Sequence, residues 1–286
     1  MQEFRILTVP YELGRLRDGT GTGAEALRDA GAVDALASAG ARVRDETIAL
    51  DERFATTGHG DVDAAFALIG AVAGRVGDAT AAGAVPVVLG GSCFLGVGVT
   101  AGLPPPQPQV LYLDAHADFN HPDSSEHGYF DGMGLAVMTG GAWQGMHASL
   151  TGAEPVPESS VVLAGARDFD PSEEERLSRS GIRHVPPAAL RSSAPLIRAL
   201  DAIGPPEAGV YLHLDLDVID PSVAPANVYA APGGLSGEEL VRLVSAVVAT
   251  RPVRAVALTC YDAGFDPDRR IPPIANQVLE AVARSL

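Results

Sequence analysis

The chain contains no lysine, and all twenty of its basic residues are arginine. Enzymes that form a Schiff base, anchor pyridoxal phosphate or hold a nucleotide in a phosphate-binding loop use a lysine amine to do so. The absence of lysine therefore excludes these three kinds of chemistry.

The chain is also poor in cysteine and in long apolar runs. Two cysteines, Cys93 and Cys260, are too few for a disulfide framework in 286 residues, so each is considered as a separate site. No run reaches about 18 uninterrupted apolar residues, and the first residues lack the basic and apolar regions of a signal peptide. We therefore expect a cytoplasmic protein that does not enter a membrane.

Positive charge is scarce. Thirty-six acidic residues outnumber twenty arginines, and the formal net charge is -16. Nucleic acids and anionic membrane surfaces would repel such a protein, so we expect neither as a partner. A cationic or zwitterionic small molecule is a more compatible substrate.

Short apolar runs alternate with helical patterns along the whole chain. About eight runs are predicted to be strands, at 4–10, 41–50, 85–91, 109–115, 160–166, 182–186, 210–216 and 253–260. Strands that are apolar on both faces and separated by helices are typical of a parallel sheet covered on both sides. We predict a single domain over residues 1–286, of the α/β class, with a three-layer α/β/α sandwich and a mostly parallel eight-stranded sheet.

The clearest helical pattern lies at 237–250, where Ser236 and Glu239 form the sequence signature of a capping box. A second helix is predicted at 62–76. In parallel sheets, ligands bind beyond the carboxyl ends of the strands, which is where the segments GGSC, DAHAD and DLDVIDP fall.

Two acidic triplets stand at predicted strand ends. Asp114, His116 and Asp118 of DAHAD are two residues apart, so an extended backbone would direct them to one side. Asp215 and Asp217 of DLD have the same spacing. Carboxylates and imidazole suit Mn, Fe, Co or Zn. One triplet alone would be explained by a salt-bridged strand end or a helix cap, but two triplets on different strands favour a metal site.

These motifs resemble the ureohydrolase family, which includes arginase, agmatinase, guanidinobutyrase and formiminoglutamase. The resemblance extends over nearly the whole chain, through VPYELGRLRDGTGTGAEALRDAG, GGSC, DAHADFN, GARDFDPSEEE and DLDVIDPS. It implies a sheet of order 2-1-3-8-7-4-5-6 and two Mn²⁺ ions with a bridging hydroxide. It also implies that Asp114 and Asp215 bridge the ions, that Asp118 binds one ion, and that His116 and Asp217 bind the other.

Three positions depart from the family pattern. Cys93 of GGSC stands where the family has a metal-binding histidine; it would either ligate as a thiolate, which admits other divalent metals, or fill a vacated site as a small buried residue. Asp131 stands where arginases have a proton-shuttling histidine. Thr259, or Cys260 if the alignment shifts by one residue, replaces the glutamate that contacts the guanidinium group. These changes argue against plain arginase activity.

Other matches imply an amino-acid substrate. Asn120 and His127 occupy positions at which arginases hold the substrate carboxylate, and Asp170 and Glu173 align with contacts to its α-amino group. An alternative for Glu173 is an acidic residue in the first turn of a helix. The loop DFNHPDSSEHGYFDGM at 118–133, with the cysteine of GGSC, resembles the Nω-hydroxy-L-arginine amidinohydrolase branch of the family.

Together, these features predict a metal-dependent hydrolase that cleaves a C–N bond of a guanidino or N-hydroxyguanidino amino acid. Asp217 or Asp131 would relay a proton to the leaving amine. A homo-oligomer, trimer or hexamer, is expected from the resemblance. The alternatives are an activity of the agmatinase or formiminoglutamase type, and a degenerate homologue that binds metal without catalysis.

Overall fold

The computed structural model describes residues 1–51, 54, 62–126, 128–151 and 154–286. Its strands are Glu3–Val9 (β1), Tyr11–Glu12 (β2), Arg15–Leu16 (β3), Arg42–Thr47 (β4), Ala84–Gly90 (β5), Gln109–Leu113 (β6), Val161–Ala164 (β7), Arg183–Val185 (β8), Val210–Asp215 (β9) and Val253–Thr259 (β10). Its α-helices are Gly21–Leu27 (α1), Val33–Ser38 (α2), Val62–Ala81 (α3), Leu95–Gly102 (α4), Gly134–Met138 (α5), Gln144–Thr151 (α6), Pro171–Arg179 (α7), Ala194–Ile203 (α8), Gly237–Val248 (α9) and Ile271–Arg284 (α10).

Eight of the strands form one sheet, in the order β4-β1-β5-β10-β9-β6-β7-β8. All neighbouring strands in it are paired in parallel. Numbered along the chain without the hairpin β2–β3, this order is 2-1-3-8-7-4-5-6, so the predicted fold class and strand order are confirmed.

Helices cover both faces of the sheet. Leu212 and Leu258 belong to a hydrophobic core shared with α9 and α10, whereas Tyr211 and Ala257 belong to a second core shared with α3 and α4. Neighbouring residues of one strand enter different cores because side chains alternate between the two faces of a strand. The result is the predicted three-layer sandwich.

Helix α3 is the one described helix that is long and apolar enough to cross a membrane by length and composition. Half of its apolar window is buried inside the protein. Phe66, Ile69 and Val72 pack in the same core as α4, so a buried core helix accounts for the composition.

The four central strands position the candidate site. β5, β10, β9 and β6 are neighbours, and their carboxyl ends lead directly to Cys93, Cys260, Asp215 and Asp114. Because parallel strands end at the same edge of a sheet, residues far apart in sequence meet there.

Helix α9 begins with the predicted capping box. Ser236 Oγ accepts the Glu239 N–H at 3.2 Å, and Glu239 Oε2 accepts the Ser236 N–H at 2.9 Å. Each side chain therefore satisfies a backbone donor that the first helical turn leaves without an acceptor.

We expect Ser236→Ala to lower the free energy of unfolding by about 1 kcal/mol, because the Glu239 N–H loses its acceptor. Urea denaturation followed by circular dichroism measures this. Ser245→Ala is the matched control, since this serine lies inside α9 and its hydroxyl donates to the Val241 carbonyl oxygen. Its replacement should be neutral or slightly stabilising. Equal losses in the two variants would contradict the capping role.

Candidate functional site

Four buried aspartates, Asp114, Asp118, Asp215 and Asp217, lie at and just beyond the ends of β6 and β9. Tight turns bring them together. Asp114 Oδ1 accepts the His116 N–H and Asp215 Oδ1 accepts the Asp217 N–H, both at 2.7 Å. The sequence interpretation assumed an extended backbone, but the structure has a 3-10 turn at Leu216–Val218. The aspartate side chains produce the turns by bonding the backbone two residues on.

His116 lies between two of these carboxylates. Its Nδ1 is 3.4 Å from Asp114 Oδ1 and 3.3 Å from Asp217 Oδ2. Burial opposes protonation of the ring, but the hydrogen bonds to Asp114 and Asp217 outweigh it and raise the pKa of His116. The three side chains offer ligand atoms within 4.8 Å of one another.

The four carboxyl groups are too close to be ionised together unless a cation neutralises them. Burial, and then the charge of Asp217, raises the pKa of Asp114 to about 6. Burial, and then neighbouring carboxylates, holds the pKa of Asp118 and of Asp215 well above the usual range. Burial also acts on Asp217, but its hydrogen bond with His116 prevails and lowers its pKa.

Several overlapping groups of these side chains could each hold a metal ion. One group of ligand atoms comprises Cys93, Asp114 and Asp118, and another comprises Asp114, His116 and Asp217. Asp114 belongs to both groups, which is the arrangement that a bridging ligand requires. The oxygen and nitrogen donors of these groups suit Mn, Fe, Co or Zn, whereas the sulfur of Cys93 suits softer ions such as Zn.

Cys93 lies at the base of the site and is 1% exposed. Its Sγ is 2.9 Å from Asp215 Oδ2, and it lies 3.8 Å from Asp114 Oδ2. Burial, followed by its contact with Cys260 and the charge of Asp215, holds the pKa of this thiol well above its ordinary value. A thiol becomes a good ligand once a cation stabilises its thiolate.

Thr259 and Cys260, the two alternatives for the family's guanidinium-contacting glutamate, lie in different surroundings at the end of β10. Thr259 is fully buried, and its hydroxyl donates to the Leu214 carbonyl oxygen at 3.3 Å. Cys260 lines the cavity and has a φ of 60°, which is uncommon for a residue with a side chain. Of the two residues, Cys260 is therefore the one that lines the cavity, and which of them corresponds to the family's glutamate stays a prediction.

Asp131 lines the cavity, but its carboxylate is engaged by the segment that carries Cys93. Oδ1 accepts the Phe94 N–H at 2.8 Å and the Ser92 hydroxyl, and Oδ2 accepts the Cys93 N–H at 3.3 Å. Burial raises the pKa of Asp131 against these hydrogen bonds. The contacts favour a positioning role for Asp131, and its proton relay stays a prediction.

The predicted substrate contacts Asn120, Asp170 and Glu173 lie together on one wall. Asn120 Nδ2 donates to Asp170 Oδ2 at 2.9 Å, and Glu173 accepts the N–H of Phe119 at 2.8 Å and that of Asp170 at 3.4 Å. Burial raises the pKa of Glu173 to about 7. Glu173 lies in the first turn of α7 and also lines the cavity, and its contact with a substrate amine stays a prediction. His127 lies outside the described residues.

Glu12 is a cavity residue that the sequence interpretation missed. Its carboxylate accepts the Tyr129 hydroxyl at 3.2 Å and pairs with Arg15 at 2.7 Å. Burial, despite the nearby Arg15 charge, raises the pKa of Glu12. No local sequence pattern indicates that Glu12 lines the cavity, because the hairpin β2–β3 and the loop before Asp131 meet only in the folded protein.

His213 was also missed, although it directly precedes the LDLD segment. Its Nε2 is 3.2 Å from Cys93 Sγ, and its Nδ1 is 2.8 Å from the Tyr211 hydroxyl. The ring stacks on Tyr112 with centroids 4.0 Å apart. Burial lowers the pKa of His213 to about 3, so the ring is neutral near pH 7.

The site opens into a cavity of about 840 Å³. Its lining carries the acidic residues Glu12, Asp118, Asp131, Asp168, Asp170, Glu173, Asp215 and Asp217, with Arg15 and His116 as basic groups. This excess of negative charge favours a cationic molecule over an anionic one.

Comparison with known proteins agrees with this fold. Residues 2–283 match the sequence model of the arginase family. The chain is 35% identical over 178 residues to the N(omega)-hydroxy-L-arginine amidinohydrolase of Streptomyces lavendulae, a match that covers 62% of the chain and 60% of that protein. It is 32% identical over 244 residues to the arginase of Brevibacillus brevis, covering 82% of each. The crystal structure of arginase from Bacillus cereus has a TM-score of 0.88 at 26% identity, with 98% of both chains covered.

We expect Mn²⁺ to raise the unfolding temperature of the metal-free protein, because a divalent cation relieves repulsion among the buried carboxylates. In Asp215→Asn this rise should be lost. The metal-free variant should nevertheless be at least as stable as the wild type, because one buried acid has been removed. Differential scanning calorimetry with Mn²⁺ or EDTA measures both effects.

The matched control for this experiment is Asp34→Asn, which changes an exposed aspartate on α2. It should keep the full metal-induced rise. An undiminished rise in Asp215→Asn would contradict a role for Asp215 in holding the cation.

Proposed function

The chain belongs to the arginase family, and on this basis we propose that it is a metal-dependent hydrolase that cleaves a C–N bond in the guanidino or N-hydroxyguanidino group of an amino acid. The observation that supports this most strongly is the group formed by the buried Asp114, Asp118, Asp215 and Asp217 with the half-buried His116 at the base of an acidic cavity.

In this proposal, Asp114, Asp215, Asp118 and Cys93 would hold one divalent ion, and Asp114, Asp215, His116 and Asp217 would hold the other. When bound, such an ion pair lowers the pKa of a water molecule and so supplies a nucleophile near neutral pH. Mn²⁺ is the expected ion by family resemblance, and the sulfur of Cys93 admits other divalent metals.

The side chains of the cavity are proposed to bind and orient the substrate. Its acidic lining attracts a guanidinium group, and Asp170 with Glu173 accepts hydrogen bonds from an α-ammonium group beside Asn120. Asp217 Oδ2, which lies 3.3 Å from His116 Nδ1, is the atom proposed to pass a proton to the leaving amine. The hydrogen bonds that engage Asp131 make it the weaker candidate for this step.

Two further parts of the proposal come from the family resemblance: assembly into a homo-oligomer, as a trimer or hexamer, and substrates that are small molecules. Location in the cytoplasm is proposed from the sequence pattern. A second candidate function is metal binding without catalysis, which is favoured by Cys260 at the position of the guanidinium-contacting glutamate. Turnover of a substrate panel separates the two.

With Mn²⁺ or Co²⁺ bound, we expect release of urea from arginine or of hydroxyurea from Nω-hydroxyarginine. The arginine analogue that lacks the α-amino group should have a kcat/KM at least roughly tenfold lower than the parent amino acid, because Asp170 and Glu173 then have no ammonium group to bind. Colorimetric product assays over the panel measure this. Turnover of no guanidino compound would contradict the proposed function, and equal turnover of agmatine would remove the argument for an amino-acid substrate.

Asp170→Asn should reduce the preference for substrates with an α-amino group. Asp168→Asn is its matched control, since Asp168 also lines the cavity but is not the hydrogen-bond partner of Asn120. Equal effects of the two variants would indicate a general electrostatic attraction and not a specific contact.

A further inference from the structure

Two sulfur atoms face each other at the base of the site. Cys93 Sγ and Cys260 Sγ are 3.4 Å apart, and both residues are buried. They follow the neighbouring strands β5 and β10, and the Cys260 N–H donates to the Gly90 carbonyl oxygen at 3.2 Å. This backbone contact holds the two segments side by side.

Asp215 joins the two cysteines in a group whose ligand atoms all lie within 4.8 Å of one another. Two thiolates that bind one tetrahedral zinc ion, at about 2.3 Å each, lie about 3.8 Å apart. The observed separation of 3.4 Å is close to this value. The two sulfurs therefore need little movement to bind the same ion.

We propose that Cys260 is a metal ligand, and that Cys93, Cys260 and Asp215 form a two-sulfur position that selects Zn²⁺ or Co²⁺ over Mn²⁺. This inference rests on the metal dependence of the proposed function. Thiolates select zinc-like ions, whereas manganese prefers oxygen donors. The neighbouring position at Asp114, His116 and Asp217 offers oxygen and nitrogen atoms and suits Mn²⁺. The two positions thus differ in the metals that they prefer.

His213 supports a thiolate at Cys93 from behind the site. Its Nε2 lies 3.2 Å from Cys93 Sγ, and the Tyr211 hydroxyl lies 2.8 Å from its Nδ1. If the tyrosine donates to Nδ1, the single proton of the neutral ring is on Nε2 and points at the sulfur. A hydrogen-bond donor at a ligating sulfur stabilises its negative charge and orients it.

Titration of Co²⁺ into the reduced, metal-free protein tests this assignment through the near-ultraviolet absorption of sulfur-to-cobalt charge transfer. The wild type should show the absorption of two thiolates. Cys260→Ser and Cys93→Ser should each lose about half of it, and the double variant all of it. Thr259→Val is the matched control, because it removes a hydroxyl 3.1 Å from Cys93 Sγ without removing a sulfur, and it should keep the full absorption.

Unchanged absorption in Cys260→Ser would overturn the assignment of Cys260. Bound cobalt without charge-transfer absorption would overturn the whole two-sulfur position and indicate a pair of unligated thiols.

X-ray absorption at the zinc edge needs no variant. The wild type loaded with one equivalent of Zn²⁺ should show two sulfur neighbours at about 2.3 Å, and one or none would overturn the proposal. Both measurements use resting protein, so a failure to hydrolyse any guanidino compound leaves their result intact. Conversely, hydrolysis without sulfur ligation would leave the proposed function standing and remove only the two-sulfur position.

Discussion

Repulsion among the buried carboxylates at the ends of β6 and β9 is the constraint on which the rest of the site depends. Two unit charges 4 Å apart interact by about 4 kcal/mol at the effective dielectric of a protein, and a whole domain is stable by only about 5–15 kcal/mol. The repulsion in a few such unneutralised pairs would therefore offset the whole free energy of unfolding. Burial, and then the neighbouring carboxylates, raises the pKa of Asp114, Asp118 and Asp215, which favours protonation of the cluster when no cation is bound.

The backbone around the site is arranged to hold these groups in place. Asp118 and Cys260 have φ values of 50° and 60°, which cost of order 1–3 kcal/mol each where no glycine is present. Asp118 is held by its surroundings, since its carbonyl oxygen accepts the N–H groups of Leu135 and Ala136. Its side chain accepts the Tyr112 hydroxyl at 2.6 Å. Two of the six described non-glycine residues with positive φ thus lie where acidic and sulfur ligand atoms converge.

The fold could be predicted from the sequence because its strands are apolar on both faces and separated by amphipathic helices. The acidic triplets were also visible, since they follow apolar runs directly. The choice between Thr259 and Cys260 could not be made from the sequence, because a shift of one residue at a strand end reverses which side chain faces the cavity. The bonds of Asp131 to Phe94 and of Glu12 to Tyr129 join distant segments, so no local pattern encodes them.

The central claim is that protons occupy the acidic cluster in place of a cation, so metal binding should release them. Calorimetric titration of Mn²⁺ in two buffers of different ionisation enthalpy measures this release directly. The Cys93→Ser/Cys260→Ser double variant removes any contribution from the thiols. Burial and the charge of Asp217 raise the pKa of Asp114 to about 6, so near pH 6 we expect net release of protons from the carboxyl groups and from His116, whose pKa is also raised. The contribution of the carboxyl groups should diminish as the pH rises and they ionise before metal binds. Binding of Mn²⁺ without proton release would contradict the account.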